Sequence, residues 1–452
     1  MCDTTHSKLR AAGSTPITLV GPAVKEGHVH MRVSRTVLTG PSSITGLAVT
    51  LIRGVPRRVL VAVAVIAALA APAAAQARAV GTAASVSPLQ AVTCTSDENC
   101  WAVGGAYQTG AGFIEHWNGS TWQVVPSQNP PKSSSSVLDG VACAQVTSCW
   151  AVGYHVNLRG SAILPYAEHW NGQAWSELAL PYPAHEVVKA NPLRAVSCPA
   201  TNLCFADGGW LKPVGGGLQR NVSLIERWNG STWQIVPSPV LPHSTENDLE
   251  GLSCASARDC WATGAWAEGT ARGGALGYHW NGHQWAVARI TDVSYHHAGA
   301  MLAASCPTTR MCMGIGQKAY GTEPALGLRM FAQRWNGSSW LTAPIGTGNG
   351  NNLRVYSVSC ATTQTCMAAG EKYTPGTVSP TLVEQWNGSS WATIPSPNPP
   401  GPGLGIFYGI SCPQVTACWA VGTWETPSAP GSYIDHVLIE HWNGTAWTIE
   451  PS

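Results

Sequence analysis

The chain has 452 residues, enough for two or three ordinary domains or for one large repeat assembly. Only 11% of the residues are charged, whereas 48 are glycine and 21 are tryptophan, a composition that excludes a coiled coil or a long-helix protein. Residues 1–77 hold 8 Lys and Arg against 2 Asp and Glu, so the other 375 residues hold 17 against 22. This mildly acidic main body lacks the basic footprint of a nucleic-acid-binding protein, and we expect no nucleic acid partner.

The first predicted element is a secretory signal peptide within a leader that spans residues 1–77. Three arginines precede an apolar run from Val59 to about Ala71, and small residues continue to Ala77. A basic region, a short apolar run and a small-residue cleavage site are the pattern of such a signal. The run is shorter than the roughly 20 residues that cross a bilayer, so we expect a membrane contact only if the segment stays uncleaved. The protein is therefore predicted to be secreted or cell-surface, with residues 78–88 as a short linker.

Seven copies of one repeat follow in residues 89–452. Each copy contains a Cys-x5-Cys pair and then the motif Trp-Asn-Gly-x-x-Trp, and the first cysteines of successive copies are 49–56 residues apart. Self-similarity at a fixed period is typical of repeat architectures. The repeats span about residues 89–130, 138–183, 193–242, 249–290, 301–346, 353–400 and 407–452.

Each copy is predicted to form four short strands, as copy three illustrates. An alternating run at 193–198 ends at the first cysteine, and a small apolar segment that ends in glycine follows the second cysteine. Apolar-polar alternation at 224–228 leads into the motif, and a last strand at 233–236 ends at Pro-Ser-Pro. The Asn-Gly dipeptide between the last two strands is a strong hairpin signal, because such turns need residues that tolerate a positive φ.

Seven four-stranded units of this length predict an all-β protein, a seven-bladed β-propeller of four-stranded antiparallel blades after the N-terminal signal segment. One sheet cannot bury both of its faces, whereas radially packed neighbours can, and the motif tryptophans would pack between the blades. The sequence leaves the closure of the ring open. Either blades one and seven are each complete, or strands from the two chain ends share one blade.

The cysteines of the seven pairs are predicted to form one disulfide in each repeat. An even set at fixed spacing in an exported protein is typical of disulfides, and a five-residue connection brings two adjacent strands within bridging range. Metal ligation is the alternative, but each pair lies in a blade of its own and carries no attached histidine. The predicted pairs are Cys94 with Cys100, Cys143 with Cys149, Cys198 with Cys204, Cys254 with Cys260, Cys306 with Cys312, Cys360 with Cys366, and Cys412 with Cys418.

The repeat resembles the kelch repeat of galactose-oxidase-type propellers. The resemblance rests on a second strand that ends in glycine (Gly104-Gly105, Gly208-Gly209), an apolar third strand, a tight turn, a tryptophan and a proline-containing exit. The chain is most similar to exported, Cys-paired propellers of high-GC bacteria. This resemblance implies a fold and an exported location, with no reaction attached.

A histidine or arginine precedes the first motif tryptophan in six copies. Histidines in a ring could indicate a metal site, but one per blade on a strand is too far apart to converge, and a polar pair on the strand surface is the alternative. The residues at this position are His116, His169, Arg227, His279, Arg334, Gln385 and His441.

The candidate ligand-contact residues are Trp210, Trp266, Trp424 and His155. Each stands six residues after the second cysteine of its pair, where the copies differ, and we expect these side chains to open the loops on one rim. Exposed tryptophans stack against sugar faces or apolar groups of a partner. The alternative is that they cover the ends of the blades.

We find no nucleophile elbow, phosphate-binding loop or zinc-protease motif in the sequence. We therefore expect no catalytic, cofactor-binding or metal-binding residues and no cofactor. The sequence favours a non-catalytic binding or interaction module outside the cell, rather than an enzyme, with a glycan or an extracellular protein as its partner. The alternative function is a carbohydrate-active hydrolase or lyase with its site in the central funnel.

Overall fold

The computed structural model describes residues 88–452 apart from 106–109, 159–161, 183–192, 216–217, 240, 242–243, 270–271, 289, 291–298, 321–326, 347–350, 374–378 and 430–431. The predicted signal peptide and residues 78–87 of the predicted linker lie outside the described residues. Within them all elements are strands, and no helix long and apolar enough to span a membrane is found there.

Twenty-eight strands form seven consecutive four-stranded antiparallel blades, each built from one stretch of chain. The first strands are β1 (Leu89–Ser96), β5 (Ser133–Gln145), β9 (Leu193–Ala200), β13 (Glu246–Ser256), β17 (Gly299–Thr308), β21 (Leu353–Cys360) and β25 (Leu404–Gln414). The second strands are β2 (Asn99–Gly105), β6 (Ser148–Asn157), β10 (Leu203–Gly215), β14 (Asp259–Glu268), β18 (Met311–Tyr320), β22 (Cys366–Lys372) and β26 (Ala417–Ala429).

The outer half of each blade is a hairpin that contains the Asn-Gly turn. The third strands are β3 (Gly112–Trp117), β7 (Ile163–Trp170), β11 (Leu218–Trp228), β15 (Arg272–Trp280), β19 (Gly327–Trp335), β23 (Thr381–Trp386) and β27 (Ser432–Trp442). The fourth strands are β4 (Trp122–Val125), β8 (Trp175–Leu178), β12 (Trp233–Ile235), β16 (Trp285–Val287), β20 (Trp340–Thr342), β24 (Trp391–Ile394) and β28 (Trp447–Ile449). The all-β propeller prediction is confirmed.

The first strands of the blades form the inner ring of the propeller. Each packs against the first strand of the next blade, and β1 contacts β25, so blade 1 follows blade 7 and the ring is closed. Blades 1 and 7 are each complete, which decides between the two closures that the sequence left open. Side chains join these two blades: the backbone N–H of Cys94 donates to Ser411 Oγ at 3.0 Å, and Trp419 Nε1 donates to Asp97 Oδ1 at 3.2 Å.

The predicted turn between the third and fourth strands is present in all seven blades, with glycine as the residue of positive φ. Gly119 has a φ of +90°, and the equivalent glycines lie between +92° and +94°. The side chain of the preceding asparagine closes the turn, since Asn118 Oδ1 accepts from the backbone N–H groups of Ser120 and Thr121 at 3.0 Å.

The seven predicted disulfides are confirmed. They link Cys94 to Cys100, Cys143 to Cys149, Cys198 to Cys204, Cys254 to Cys260, Cys306 to Cys312, Cys360 to Cys366, and Cys412 to Cys418. Each bridge joins the first and second strands of one blade. Disulfides persist in oxidising compartments, so the bridges indicate an extracellular protein.

Tryptophan clusters fill the seams between blades. Trp150 of blade 2 is completely buried, and its ring centroid lies 4.8 Å from that of Trp228 and 5.0 Å from that of Trp233, the motif tryptophans of blade 3. Each blade inserts the residue after its second cysteine into the next blade in this way, and we call it the wedge residue. The wedge residues are Trp101, Trp150, Phe205, Trp261, Met313, Met367 and Trp419.

The histidines before the motif tryptophans belong to these seams. His116 stacks on Trp101 with centroids 4.2 Å apart, and His441 stacks on Trp419 at 4.3 Å. A histidine occurs in the four blades whose wedge residue is tryptophan, and arginine or glutamine occurs where it is phenylalanine or methionine. Stacking on an indole ring therefore explains the repeated histidine.

Candidate functional site

A β-bulge interrupts the pairing of the first and second strands at the same position in every blade. In blade 4, Leu249 pairs with Gly264 and Gly251 pairs with Thr263, so Glu250 has no partner residue on the second strand. Bulges re-aim side chains and are common beside active sites. The equivalent residues, which we call the bulge ring, are Gln90, Asp139, Arg194, Glu250, Leu302, Tyr356 and Tyr408.

The residues around the bulge are constrained by close backbone contacts. A Cβ on Gly264 would overlap the carbonyl oxygen of Asp248, and Gly422 stands in the same relation to Ile406. The residue after each bulge is Gly, Ala or Ser, and a Cβ on Gly251 would lie 2.7 Å from the Cα of Ala303 in the next blade. Close packing therefore fixes the neighbours of the bulge ring, while the ring residues themselves differ between blades.

The bulge ring has a charged half and an aromatic half. Blades 2, 3 and 4 contribute Asp139, Arg194 and Glu250, whereas blades 6 and 7 contribute Tyr356 and Tyr408. Gln90 of blade 1 and Leu302 of blade 5 separate the two halves. Because the first strands form the inner ring, these unlike side chains surround the centre of the propeller.

Arg194 is the cation on which the carboxyl groups of the charged half act. Its Nε lies 3.7 Å from Glu250 Oε2, and both side chains are less than one-fifth exposed. Burial lowers the pKa of the guanidinium, but Glu250, Asp139 and Asp248 more than offset this, so its pKa lies above the usual value. One arginine thus faces three carboxyl groups from two neighbouring blades.

Two further acids beside Arg194 favour the protonated form. Burial, reinforced by Glu250, raises the pKa of Asp248 to about 7. Burial, Glu250 and Asp248 raise the pKa of Asp207 well above its ordinary value. Asp207 is completely buried, and a backbone hydrogen bond from Ala195 and the charge of Arg194 offset this rise only in part. In the other blades its position holds Val, Thr, Ile or Ala, so the sequence places an acid where the fold needs none.

The aromatic half holds a second polar cluster. The rings of Tyr356 and Tyr408 lie 5.7 Å apart at an angle of 51°. Tyr356 Oη donates to Glu371 Oε1 at 3.0 Å, and Arg354 Nη1 lies 3.3 Å from the same oxygen. The guanidinium carbon of Arg354 lies 3.5 Å from the ring centroid of Tyr373, a cation–π contact.

Glu425 lies beside this cluster and is surrounded by negative charge. It pairs across the strands with Asp435 in blade 7. Burial, followed by the charges of Asp435 and Glu371, raises its pKa to about 7. Burial and the same three carboxyl groups raise the pKa of Tyr408 above its ordinary value. Like charges directly opposite on neighbouring strands destabilise a sheet, which agrees with the raised pKa of Glu425.

The four residues predicted from the sequence lie elsewhere. Trp210, Trp266, Trp424 and His155 are on strands β10, β14, β26 and β6, because the second strand of these blades continues past its glycine. The expectation of exposed loop side chains is wrong: Trp424 is 5% exposed, and Trp210 and Trp266 are half-buried against core clusters. Ligand contact by these residues stays a prediction.

The sequence analysis missed the bulge ring, although a signal was present. Every ring residue stands four positions before the first cysteine of its copy, between an apolar residue and a small one. Aligning the seven copies on their cysteines would have separated this variable position from its fixed neighbours.

A surface cleft lined by residues of blade 5 is a second concave region. Its volume is about 240 Å³, and Lys318, Arg329 and Gln333 are among its lining residues. No carboxyl, imidazole or thiol group lines it in the described part of the chain, so it offers no acid–base pair. We therefore place the candidate site at the bulge ring.

Comparisons with solved structures find other β-propellers. An ulvan lyase, a polysaccharide lyase, is 12% identical with a TM-score of 0.41 and aligns 70% of this chain with 84% of its own. An α-L-arabinofuranosidase of Fusarium graminearum is 10% identical with a TM-score of 0.41, over 70% and 95% of the two chains. An α-L-arabinanase of Penicillium chrysogenum is 11% identical with a TM-score of 0.41, over 71% and 96%. No protein-family model and no curated protein matches the chain.

These comparisons correct the functional expectation drawn from the sequence. The three propellers reported above are two hydrolases and a lyase, which contradicts the expectation of a non-catalytic module that is not an enzyme. At these identities the likeness is one of fold alone. What the chain does has therefore to be argued from its own residues.

Proposed function

We propose that this protein is an extracellular carbohydrate-active hydrolase or lyase with its active site at the charged half of the bulge ring. The observation that carries the proposal is the convergence of Asp139, Arg194 and Glu250 from three successive blades, with Asp248 beside them. Perturbed acids grouped around one cation in the centre of a fold are typical of active sites.

The two carboxyl groups on β13 supply an acid and a base. Cleavage of a glycosidic bond needs one group that protonates the leaving oxygen and one that takes a proton from water, or from a sugar carbon in the case of a lyase. Asp248, with a pKa of about 7, holds a proton below neutral pH and is the donor. Glu250, paired with Arg194, is the acceptor.

Asp207 is a positioning residue in this proposal. It is completely buried, and this burial, followed by the charges of Glu250 and Asp248, raises its pKa well above the ordinary value, so it remains neutral next to them. Because Asp207 is neutral, it does not compete with Glu250 for the positive charge of Arg194. Replacing Asp207 should therefore move the pH profile of the reaction rather than abolish turnover.

The aromatic half supports a carbohydrate substrate. Tyrosine rings offer an apolar face for a sugar ring and a hydroxyl group for hydrogen bonding. Tyr356 and Tyr408 stand at the same level of the inner strands as Glu250, so a sugar held on them would face the acid and the base. The proposal also includes secretion or display at the cell surface, membership of a kelch-like family, and glycan contact through Trp210 or Trp266.

The test is cleavage of polysaccharides by the full chain with its disulfides intact. A panel of neutral, uronic-acid-containing and amino-sugar polymers is incubated with the protein, and new reducing ends are measured. Product masses distinguish the two reactions, because hydrolysis adds a water molecule and elimination does not. We expect Glu250→Gln and Asp248→Asn to lower the rate at least about 100-fold.

The matched control is Glu98→Gln, because Glu98 is exposed in the turn between β1 and β2, at the opposite end of β1 from the ring residue Gln90. It should retain full activity. Thermal unfolding checks that all variants fold. Turnover that survives Glu250→Gln, or a panel without any cleaved polymer, would overturn the proposal.

A further inference from the structure

We infer, on the basis of the proposed function, that the substrate is a glycan with free amino groups, and that Glu371 and Glu425 behind the Tyr356–Tyr408 pair select it. The inference deepens the assignment of the site by naming the chemical class that the other half of the bulge ring recognises.

The first argument is the charge of the inner ring. Among the described residues of the seven first strands, four are acidic (Asp139, Glu246, Asp248 and Glu250) and two are basic (Arg194 and Arg354). Both arginines are already engaged in ion pairs, Arg194 with Glu250 and Arg354 with Glu371. Even with Asp248 protonated, three acidic residues stand against two basic ones, so the inner strands offer no free cation to a uronate or sulfated chain.

The second argument is the environment of Glu425. The charges that act on it come from Asp435 and Glu371, both carboxyl groups, and its pKa is raised to about 7. An ammonium group placed beside Glu425 would favour the charged form of this carboxyl group and donate a charge-assisted hydrogen bond to it. The cluster therefore fits a cation better than a neutral or anionic group.

The third argument is the aromatic pair, which indicates a sugar rather than a bare ion. Tyr356 and Tyr408 face one another at 5.7 Å, and Glu371 holds the hydroxyl group of Tyr356 at 3.0 Å. Ring stacking needs such a platform, whereas a metal ion needs converging oxygen ligands. No group of three metal-ligating side chains occurs within the described residues.

The fourth argument comes from the charged half. Three carboxyl groups there, those of Asp139, Asp248 and Glu250, act on a single arginine, Arg194. The side of the ring that would cut the chain is thus also short of positive charge. A polymer with amino groups on successive sugars would meet carboxyl groups on both halves.

The test is binding of two oligosaccharides of equal length, a β-1,4-linked glucosamine oligomer and its fully N-acetylated form. Calorimetric titration uses the full chain with Glu250→Gln, so that turnover does not interfere, slightly below neutral pH, where the sugar amines are charged. We expect the amino form to bind at least about tenfold more tightly, and salt to weaken its binding more than that of the acetylated form.

Added to Glu250→Gln, Glu425→Gln and Glu371→Gln should each reduce the preference for the amino form and leave binding of the acetylated form unchanged. Glu98→Gln should leave both affinities unchanged. Equal or tighter binding of the acetylated oligomer, or a preference that persists after both substitutions, would overturn the inference.

The outcomes also separate the inference from the proposed function. If the unsubstituted chain cleaves a neutral or anionic glycan and ignores the amino form, the inference fails and the proposed function stands. If the chain binds the amino form selectively and cleaves no polymer, the proposed function fails and the selectivity stands.

Discussion

The seams between blades and the bulge ring are built from the same seven repeats, yet they differ in how far the repeats agree. At the seams, a large apolar wedge residue meets two motif tryptophans in every blade. In the bulge ring the equivalent positions hold Gln, Asp, Arg, Glu, Leu and Tyr.

The difference shows which positions the fold constrains. A wedge residue is buried on all sides, so its volume and apolar surface contribute directly to stability. A bulge residue lacks a partner on the second strand, so the pairing of the two strands does not dictate which residue stands there. Polar groups in the ring are therefore available for chemistry. Substitutions at the seams should cost more stability than substitutions in the bulge ring.

The largest expected effect is the loss of a wedge residue. Trp150→Ala should lower the free energy of unfolding by about 4 kcal/mol, because it removes a completely buried ring from contact with Trp228 and Trp233. Trp150→Met should cost less, since Met313 and Met367 fill this position in blades 5 and 6. Gln90→Ala in the bulge ring should stay within about 1 kcal/mol. Urea unfolding measures all three, and equal costs at the two regions would contradict the comparison.

The glycine opposite the bulge connects the two regions and gives the next largest effect. Gly422→Ala should cost about 3 kcal/mol, because its Cβ would overlap the backbone carbonyl of Ile406. Gly401→Ala is the control: no atom lies within 4 Å of its Cβ, although its φ of +111° disfavours alanine. That control should cost about 1 kcal/mol in the same unfolding experiment. If Gly422→Ala is no worse than Gly401→Ala, the bulge does not require the glycine.

The architecture could be predicted from the sequence because it depends on repeated local signals. The Cys-x5-Cys spacing, the Asn-Gly turn and the alternation of the strands each recur seven times, and each acts over a few residues. The closure of the ring could not be predicted, since it depends on contacts such as that between Cys94 and Ser411 at opposite ends of the chain.

The candidate site was harder to predict than the fold. Trp210, Trp266 and Trp424 were chosen because the copies differ there, but the second strand continues through these positions. Whether a strand continues past a glycine depends on its pairing with the third strand, as for Trp210 with Val222. The bulge ring, in turn, arises from backbone contact between blades, which no single repeat reveals.

Buried glutamates on the third strands make the stability of the folded chain depend on pH. Glu226 is completely buried, and burial raises its pKa to about 8. In the unfolded chain it loses its proton near its ordinary pKa of 4.5, whereas the folded chain keeps the proton up to about pH 8. Its contribution therefore favours the folded state below the ordinary pKa, and that advantage is lost as the pH rises towards 8.

Glu226→Gln should remove this dependence, as Gln333 does at the equivalent position in blade 5. We expect the variant to be more stable than the parent at pH 8, by on the order of 2 kcal/mol, and to differ little at pH 4. Thermal unfolding across this range measures the effect. A parent protein whose stability rises from pH 5 to pH 8 through Glu226 would contradict the expectation.

The smallest expected effect is the addition of a hydrogen bond to the seam between blades 2 and 3. In five seams a serine before the first cysteine accepts from the backbone N–H of the first cysteine in the next blade, as Ser197 Oγ does from Cys254 at 3.1 Å. Blade 2 has Ala142 at this position, opposite Cys198 of blade 3. Ala142→Ser should raise the free energy of unfolding by about 0.5–1 kcal/mol, measured by urea unfolding. Ser197→Ala is the reciprocal control and should lower it by a similar amount. If both changes leave the urea midpoint unchanged, these serine hydrogen bonds do not stabilise the seams. Packing of the wedge residues would then be the main contact that holds the blades together.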